Sequence, residues 1–500
     1  MLGWNNNKFS IFHRIIAKKP HLLFYDMAFN NNIKIHEHLK VVPPSSTQTT
    51  TIPLTFFDIY WLKFHPLERI FFYTLPNSQS HPTFFYQKLV PILKSSLSLT
   101  LQHFLPVAGK IVWPSESSQP IVRYTPNDGV SLLIAESDAD FDHVIEKSPL
   151  EASLSRSFIP HLESTDSFAS IISIQVTFFP NSGISIGISA HHAILDGKSS
   201  TMFIKAWAYL CNKTIETEEE SPTLLPELEP SFNREIIKDP DDLGVTFTNN
   251  WIKIISKMLP NEKGNIKSLK IFGLEPKLED SVRATFKLTR EDLNKINRMV
   301  LAKWEAFDKN EPKPHTLSSF VLACAYSLVC IAKAIQGVEK EKEKFAFVFA
   351  VDGRRRLEPP IPNNYFGNCV LGHFIDTQPL DFIKEDGVFL VAKSLHDKIK
   401  IINDKGVLEG IKERPSKYTS LSSEGFQIIG QTGSNRFGVY GIDFGWGKPT
   451  KVEIISVDRG LNIGLAESKN ESGGVEVGLV LNKHVMNLFS ILFHEGLCIN

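Results

Sequence analysis

Cysteine is scarce in this 500-residue chain, and the five present (Cys211, Cys324, Cys330, Cys369, Cys498) are odd in number, widely spread and never spaced as CxxC. That pattern argues against a disulfide framework or a structural zinc cage and fits a reducing compartment. A charge imbalance is missing too: 54 Lys and Arg stand against 55 Asp and Glu, so no global field draws the chain to nucleic acid or an anionic membrane. The longest notable apolar run, residues 321–331, contains Tyr326 and Ser327 and falls short of the ~20 residues that span a bilayer. It reads as a buried helix. Residues 1–26 are basic, with Lys8, Arg14, Lys18 and Lys19 against Asp26, but lack the apolar stretch and cleavage site of a secretory signal. They are poor in serine for a transit peptide and read as a disordered or spurious extension ahead of Met27. No fixed-period repeat occurs, which excludes solenoids and propellers. A cytosolic monomer without nucleic-acid or membrane partners is expected.

What is present is an ordinary globular composition, 42% hydrophobic and 22% charged, in a chain long enough for two domains with a cleft between them. Strand-like and helix-like segments alternate, which predicts a mixed α/β layered architecture. Residues 173–179 and 183–190 read as a hairpin turning at Pro180, Asn181 and Ser182. Ile184, Ile186 and Ile188 alternate with small residues and predict one buried face. A helix over 199–210 follows, with Phe203, Ala206, Trp207 and Leu210 at helical spacing. Residues 212–245, carrying Glu216, Glu218, Glu219 and Glu220 and then Pro222, Pro226 and Pro230, read as an exposed linker. Beyond it come a strand (282–288), a helix (290–303), the buried helix (317–334) and an apolar strand (345–351).

The sharpest local feature is His191-His192-Ala193-Ile194-Leu195-Asp196-Gly197, which follows a strand and precedes a helix. A histidine on a sheet rim faces a cleft, and an ordinary pKa of about 6.5 leaves it free to accept a proton near neutrality. His192 is therefore a candidate general base. Asp196 either orients the imidazole, as a triad carboxylate does, or pairs with an arginine and holds the loop; the second role is preferred. HxxxD alone is a weak signal. Three other motifs carry less. Gly183-Ile184-Ser185-Ile186-Gly187 matches a hydrolase GxSxG, but its serine lies inside an alternating strand rather than on a sharp strand-to-helix turn. Asp443-Phe444-Gly445 lacks the glycine-rich loop and lysine of a kinase. His36-Glu37-His38 reads as solvated strand residues, and no metal site is expected.

Several separated segments match one family together. The sequence resembles the plant BAHD acyltransferases through His192 to Asp196 and through Asp443-Phe444-Gly445-Trp446-Gly447, supported by Leu54-Thr55-Phe56-Phe57-Asp58 and by residues 101–109. Tyr365-Phe366-Gly367-Asn368-Cys369 is similar to the YFGNC motif of the subgroup acting on anthocyanins, flavonoids and other phenolic glucosides. The resemblance implies two chloramphenicol-acetyltransferase-like domains, each a mixed β-sheet with flanking helices: 27–221 with HxxxD, a crossover loop 222–245, and 246–500 with YFGNC and DFGWG. A segment around 370–410 is a candidate to pack with the first. It implies an acyl-CoA co-substrate, no permanently bound cofactor, and transfer to an alcohol at His192. It makes DFGWG structural, pairs Asp196 with an arginine for which Arg283 is the candidate, and suggests coenzyme contacts from Ser318, Ser319, Arg354 and Arg356. Malonyl transfer to a sugar hydroxyl of a phenolic glucoside leads, hydroxycinnamoyl transfer competes with it, and a non-catalytic binding paralogue is the reading of another class. A serine-carboxypeptidase-like acyltransferase would need a secretory signal, disulfides and a nucleophilic serine, none of which is evident.

Overall fold

The hairpin read from the sequence forms the middle of the first sheet. Strands Ile172–Phe179 and Gly183–Ala190 pair antiparallel, with Asn181 at φ 63° in the turn, a left-handed conformation that asparagine tolerates. The computed structural model describes residues 33–44, 48–146, 148–217, 222–258, 266–272, 276, 278–307 and 313–498; the extension 1–26 lies outside them. Six strands make this sheet, in the order Ile33–Val41, Val130–Ser137, Ile172–Phe179, Gly183–Ala190, Leu67–Thr74 and Lys451–Ile454. The pairing of Val130–Ser137 with Ile172–Phe179 is parallel and the rest antiparallel.

Alternation predicted one buried face for Gly183–Ala190, yet all of its residues are buried. The second face is covered by the stretch around Phe158: a Cβ on Gly187 would come within 1.9 Å of the Phe158 carbonyl oxygen, and Ser189 Oγ donates to the Pro160 carbonyl at 2.6 Å. Ser185 is sealed in the same strand, far from the exposed turn a nucleophile needs.

Seven strands form the second sheet, in the order Val370–Phe374, Phe345–Asp352, Gln427–Ser434, Asn462–Glu467, Val475–Asn482, Ser281–Leu288 and Leu150–Glu151. Its strands are mixed in direction, since Gln427–Ser434 runs parallel to both neighbours. The sheets exchange edges. Leu150–Glu151 leaves the first half to pair with Ser281–Leu288, and Lys451–Ile454 returns from the second half to pair with Leu67–Thr74. Segment 370–410, a candidate to pack with the first half, supplies an edge strand of the second sheet and the helix Gly387–Lys405, and its Val370 carbonyl accepts from Trp61 Nε1 of the first half at 3.0 Å. The element that crosses is Lys451–Ile454. Buried charges pin this seam: Arg156 pairs with Glu68 at 2.7 Å and with Asp458, and Arg283 reaches Asp458 at 3.2 Å and Glu453 at 3.9 Å.

Two helices matter for the site. The first, α1 (Gly197–Thr217), begins directly after the His192 loop and is fastened by Trp207 Nε1 donating to Ser96 Oγ at 3.1 Å. The second, α2 (Ser319–Val338), is apolar nearly all round, as a helix inside a core must be. By length and composition α2 is the one helix among the described residues fit to cross a bilayer, and it is mostly buried within the protein. The linker read at 212–245 starts later than its composition suggested, because α1 runs on to Thr217. The helix Leu243–Met258 that follows packs back on the first half, where Trp251 Nε1 donates to the Ile59 carbonyl at 2.8 Å.

Candidate active site

The strand Gly183–Ala190 delivers His192 to the floor of a cavity of about 1250 Å³ between the two sheets. Its ring lies flat on Trp61, with centroids 4.1 Å apart and planes inclined by 10°. Nδ1 is buried without a hydrogen-bond partner, which leaves Nε2 as the nitrogen presented to the cavity. Burial, assisted by the neighbouring His65, pulls the His192 pKa down to about 4. The imidazole is thus neutral at physiological pH, the state a general base requires. His191 faces the other way: it is fully buried, its Nδ1 accepts from the Ala193 N–H at 3.1 Å, and burial lowers its pKa to about 3.

Asp196 does not touch the imidazole. Its carboxylate accepts from the backbone N–H of Ser199 at 2.8 Å and of Cys369 at 3.1 Å, and pairs with Arg354 Nη1 at 2.8 Å. Burial would raise its pKa, but Arg354 and these hydrogen bonds hold it below the usual carboxylate range. This is the loop-holding role, with a different arginine. Arg283, the expected partner, is spent in the seam on Asp458, Glu453 and the Ile454 and Ile455 carbonyls. Arg354, a candidate coenzyme contact, lines the cavity but is only 1% exposed, and its guanidinium also donates to the Gly367 carbonyl at 3.0 Å. A guanidinium this enclosed is committed to the fold.

The YFGNC and LTFFD segments, read from sequence only as signatures, knit the His192 loop in place. Asn368 Nδ2 donates to the His192 carbonyl at 2.6 Å and to Asp58 Oδ1 at 3.2 Å, while the Asn368 N–H reaches the same Asp58 oxygen at 3.1 Å. Asp58 Oδ2 in turn closes a capping box with Thr55, accepting from its N–H at 2.9 Å. Gly367 leaves room for Arg234, whose Nη1 would lie 2.4 Å from a Cβ there. Tyr365 lies between Arg234 and Arg354, at 5.0 and 5.9 Å from its ring centre. Trp61 carries no sequence motif, and Asn368, named only as part of YFGNC, gains its role from the bond to the His192 loop. The pairing of LTFFD with YFGNC was the available signal.

Ser318 and Ser319, the candidate coenzyme contacts, line the cavity. Ser318 caps α2 by accepting from the Val321 N–H at 3.3 Å, and Ser319 Oγ accepts from Asn435 Nδ2 at 3.0 Å. Arg356 also lines it, with Nε donating to Asn403 at 3.0 Å and Nη1 to the Asp352 carbonyl at 2.9 Å. Elsewhere in the wall, Tyr60, Phe64, Phe247, Trp251 and Phe272 form a linked aromatic lobe. DFGWG is absent from the cavity lining. Asp443 Oδ1 accepts from the Gly445 and Gly447 N–H groups at 2.8 and 3.0 Å, and Phe444 is buried against Tyr73, Trp207 and Trp446.

The Transferase family matches residues 31–495. Phenolic glucoside malonyltransferase 1 of Arabidopsis thaliana is 40% identical over 93% of this chain and 98% of its own. The chain belongs to the BAHD acyltransferases of that family. A second Arabidopsis relative, malonyl-CoA:anthocyanidin 5-O-glucoside-6''-O-malonyltransferase, is 39% identical over 94% of this chain and 99% of its own. Crystalline vinorine synthase superposes with a TM-score of 0.63 at 21% identity, covering 91% of this chain and 96% of its own. This BAHD acyltransferase thus has the two-part chloramphenicol-acetyltransferase-like fold that the resemblance implied, and its co-substrate is an acyl-CoA.

Proposed function

We propose that this BAHD acyltransferase moves malonyl from malonyl-CoA to a sugar hydroxyl of a phenolic or flavonoid glucoside. The observation that carries the reading is the near full-length similarity to malonyltransferases named for such glucosides, at 40% and 39% identity. Residues 27–221 and 246–500 are the two proposed halves, with 222–245 as crossover and the exchanged strands as exceptions. Cytosolic action as a monomer remains part of the proposal, on composition alone.

In the proposed reaction the acceptor hydroxyl gives its proton to His192 Nε2 as its oxygen attacks the thioester carbonyl. The tetrahedral intermediate collapses, the C–S bond breaks, and the imidazolium returns the proton to the departing thiolate. The ester and free coenzyme A are the products, and no acyl-enzyme forms. Holding both substrates in one cavity supplies much of the acceleration, because well-oriented groups reach effective molarities of about 10⁵ M or more. The aromatic lobe suits a flat phenolic aglycone, which would stack there with its sugar toward His192. Hydroxycinnamoyl transfer is the second reading, favoured by 33% identity to agmatine coumaroyltransferase of Arabidopsis over 93% of this chain. Purified protein incubated with malonyl-CoA or p-coumaroyl-CoA and a panel of phenolic glucosides separates the two by product mass. Exclusive coumaroylation would replace the malonyl reading, and no product with any pair would favour a non-catalytic paralogue.

A further inference from the structure

Of the first-sheet residues that line the cavity, Leu67, Ile188, Ala190 and Ile454 are apolar, and the two charged ones are Glu68, paired with Arg156 and Arg459, and Arg69. Opposed positions of an antiparallel pair share a face, so Leu67 and Arg69 stand beside Ala190 and Ile188, their register partners, and all four line the cavity. Arg69 Nη1 donates to Thr201 Oγ1 at 2.9 Å, on the first turns of α1, and its guanidinium lies over the Phe437 ring at 5.7 Å. Thr201 is itself fixed, donating to the Gly197 carbonyl at 2.6 Å. No carboxylate lies within ion-pair distance of Arg69 among the described residues; Glu467 acts on it only through space. Its other N–H groups are not sealed by protein and open into the cavity. A half-buried guanidinium that spends one N–H on Thr201 keeps donors free for an anion entering the cavity.

Position narrows the choice of anion. Arg69 pairs with Ile188, two residues before the end of the strand that leads into the His192 loop, and Arg69 and His192 line the same cavity. Lys63 and Arg414, two buried cations of the wall, are turned to backbone carbonyls, Ser268 and Lys270 for the first and Val407 and Glu409 for the second, as is Lys205 to Phe437, while Arg459 pairs with Glu68. Arg354 is committed to Asp196. We infer that Arg69, placed by Thr201 and Phe437, is the clamp for a carboxylate at the far end of the acyl group. It would select dicarboxylic monothioesters such as malonyl-CoA over neutral acyl donors. The inference rests on the malonyl reading above and adds the residue that enforces it.

Acetyl-CoA provides the control, since it shares every phosphate of malonyl-CoA and lacks only the carboxylate. For Arg69→Met, kcat/KM with malonyl-CoA should fall by about 10²-fold, as expected when a charge-assisted hydrogen-bond pair is lost, while kcat/KM with acetyl-CoA changes less than about threefold. Arg69→Lys keeps the charge but not the fork and should give an intermediate malonyl-to-acetyl ratio; it also carries the test if the Met variant does not fold. Equal losses with both donors in either variant would overturn the inference and assign Arg69 to the coenzyme or the fold. An unchanged donor ratio would overturn it as well. A wild-type protein that accepts acetyl-CoA or p-coumaroyl-CoA but never malonyl-CoA would instead refute the malonyl reading itself.

Discussion

The loops at 192–197 and 443–447 solve the same local problem and stand in opposite relations to the chemistry. In each, an aspartate gathers two backbone N–H groups: Asp196 those of Ser199 and Cys369, Asp443 those of Gly445 and Gly447. The difference lies in what the held backbone presents. The first loop offers an imidazole to the cavity, with Arg354, Asn368 and Asp58 buried behind it. The second turns Phe444 inward onto Tyr73 and Trp207 just before Lys451–Ile454 joins the first sheet. A motif that is highly specific in sequence therefore need not touch substrate; DFGWG is distinctive because an interlocking strand needs a fixed entry.

The largest effect should come from the loop facing the cavity. His192→Ala is expected to lower kcat by about 10²–10⁴-fold, the usual contribution of a general base, with little change in thermal midpoint. Near-normal turnover at saturating substrates would break the distinction between the loops. Next comes the support beneath it. Asp196→Ala leaves Arg354 as an unpaired buried charge and should cost about 3–5 kcal/mol of unfolding free energy, measured by urea titration. Loss of activity without loss of stability would mean that Asp196 acts on the imidazole directly, contrary to the geometry.

How much of this was visible beforehand differs between the halves. The hairpin, the helix after Gly197 and the role of Asp196 followed from alternation and turn chemistry, because those determinants lie within a few residues of one another. The identity of the arginine did not. Arg354 is 158 residues from Asp196 and Arg283 is 87 away; only the seam, which consumes Arg283 on Asp458, separates them. Trp61 and the part Asn368 plays within YFGNC were hidden for the same reason, since ring stacking and a side chain to backbone bond between distant segments leave no periodic trace. The buried second face of Gly183–Ala190 depends on the covering stretch at Phe158, which alternation does not register. In the second half, Asn462–Glu467, Val475–Asn482 and Lys483–Cys498 went unread, being apolar stretches that helix and strand periodicities share.

The DFGWG loop should respond in stability alone. Asp443→Ala removes the acceptor of two N–H groups, and Gly445→Ala places a side chain at φ 110° against Ile215, 2.7 Å from the new Cβ. Each should lower unfolding free energy by about 1–3 kcal/mol while leaving kcat per folded molecule within about twofold of wild type. A fall in kcat with stability intact would bring this turn into the reaction and erase the contrast between the two loops.

The smallest effect is a displacement on the pH axis. Because burial draws the His192 pKa down to about 4, the ring stays unprotonated as pH falls past 6.5, and kcat/KM should hold through that region and decline only toward about 4. Folding responds with the opposite sense of convenience. Between 6.5 and about 4 the unfolded chain binds a proton at this imidazole that the native ring refuses, so stability drops with falling pH across that window, and His191, with a pKa of about 3, adds to the same slope. The rate must therefore be measured over times shorter than acid unfolding. An acid limb centred at 6.5 would mean an imidazole solvated like a free one. Asn368→Asp sharpens the point: a carboxylate beside the His192 loop should move the limb upward, whereas a change of one charge at the other loop, Asp443→Asn, should leave it where it was.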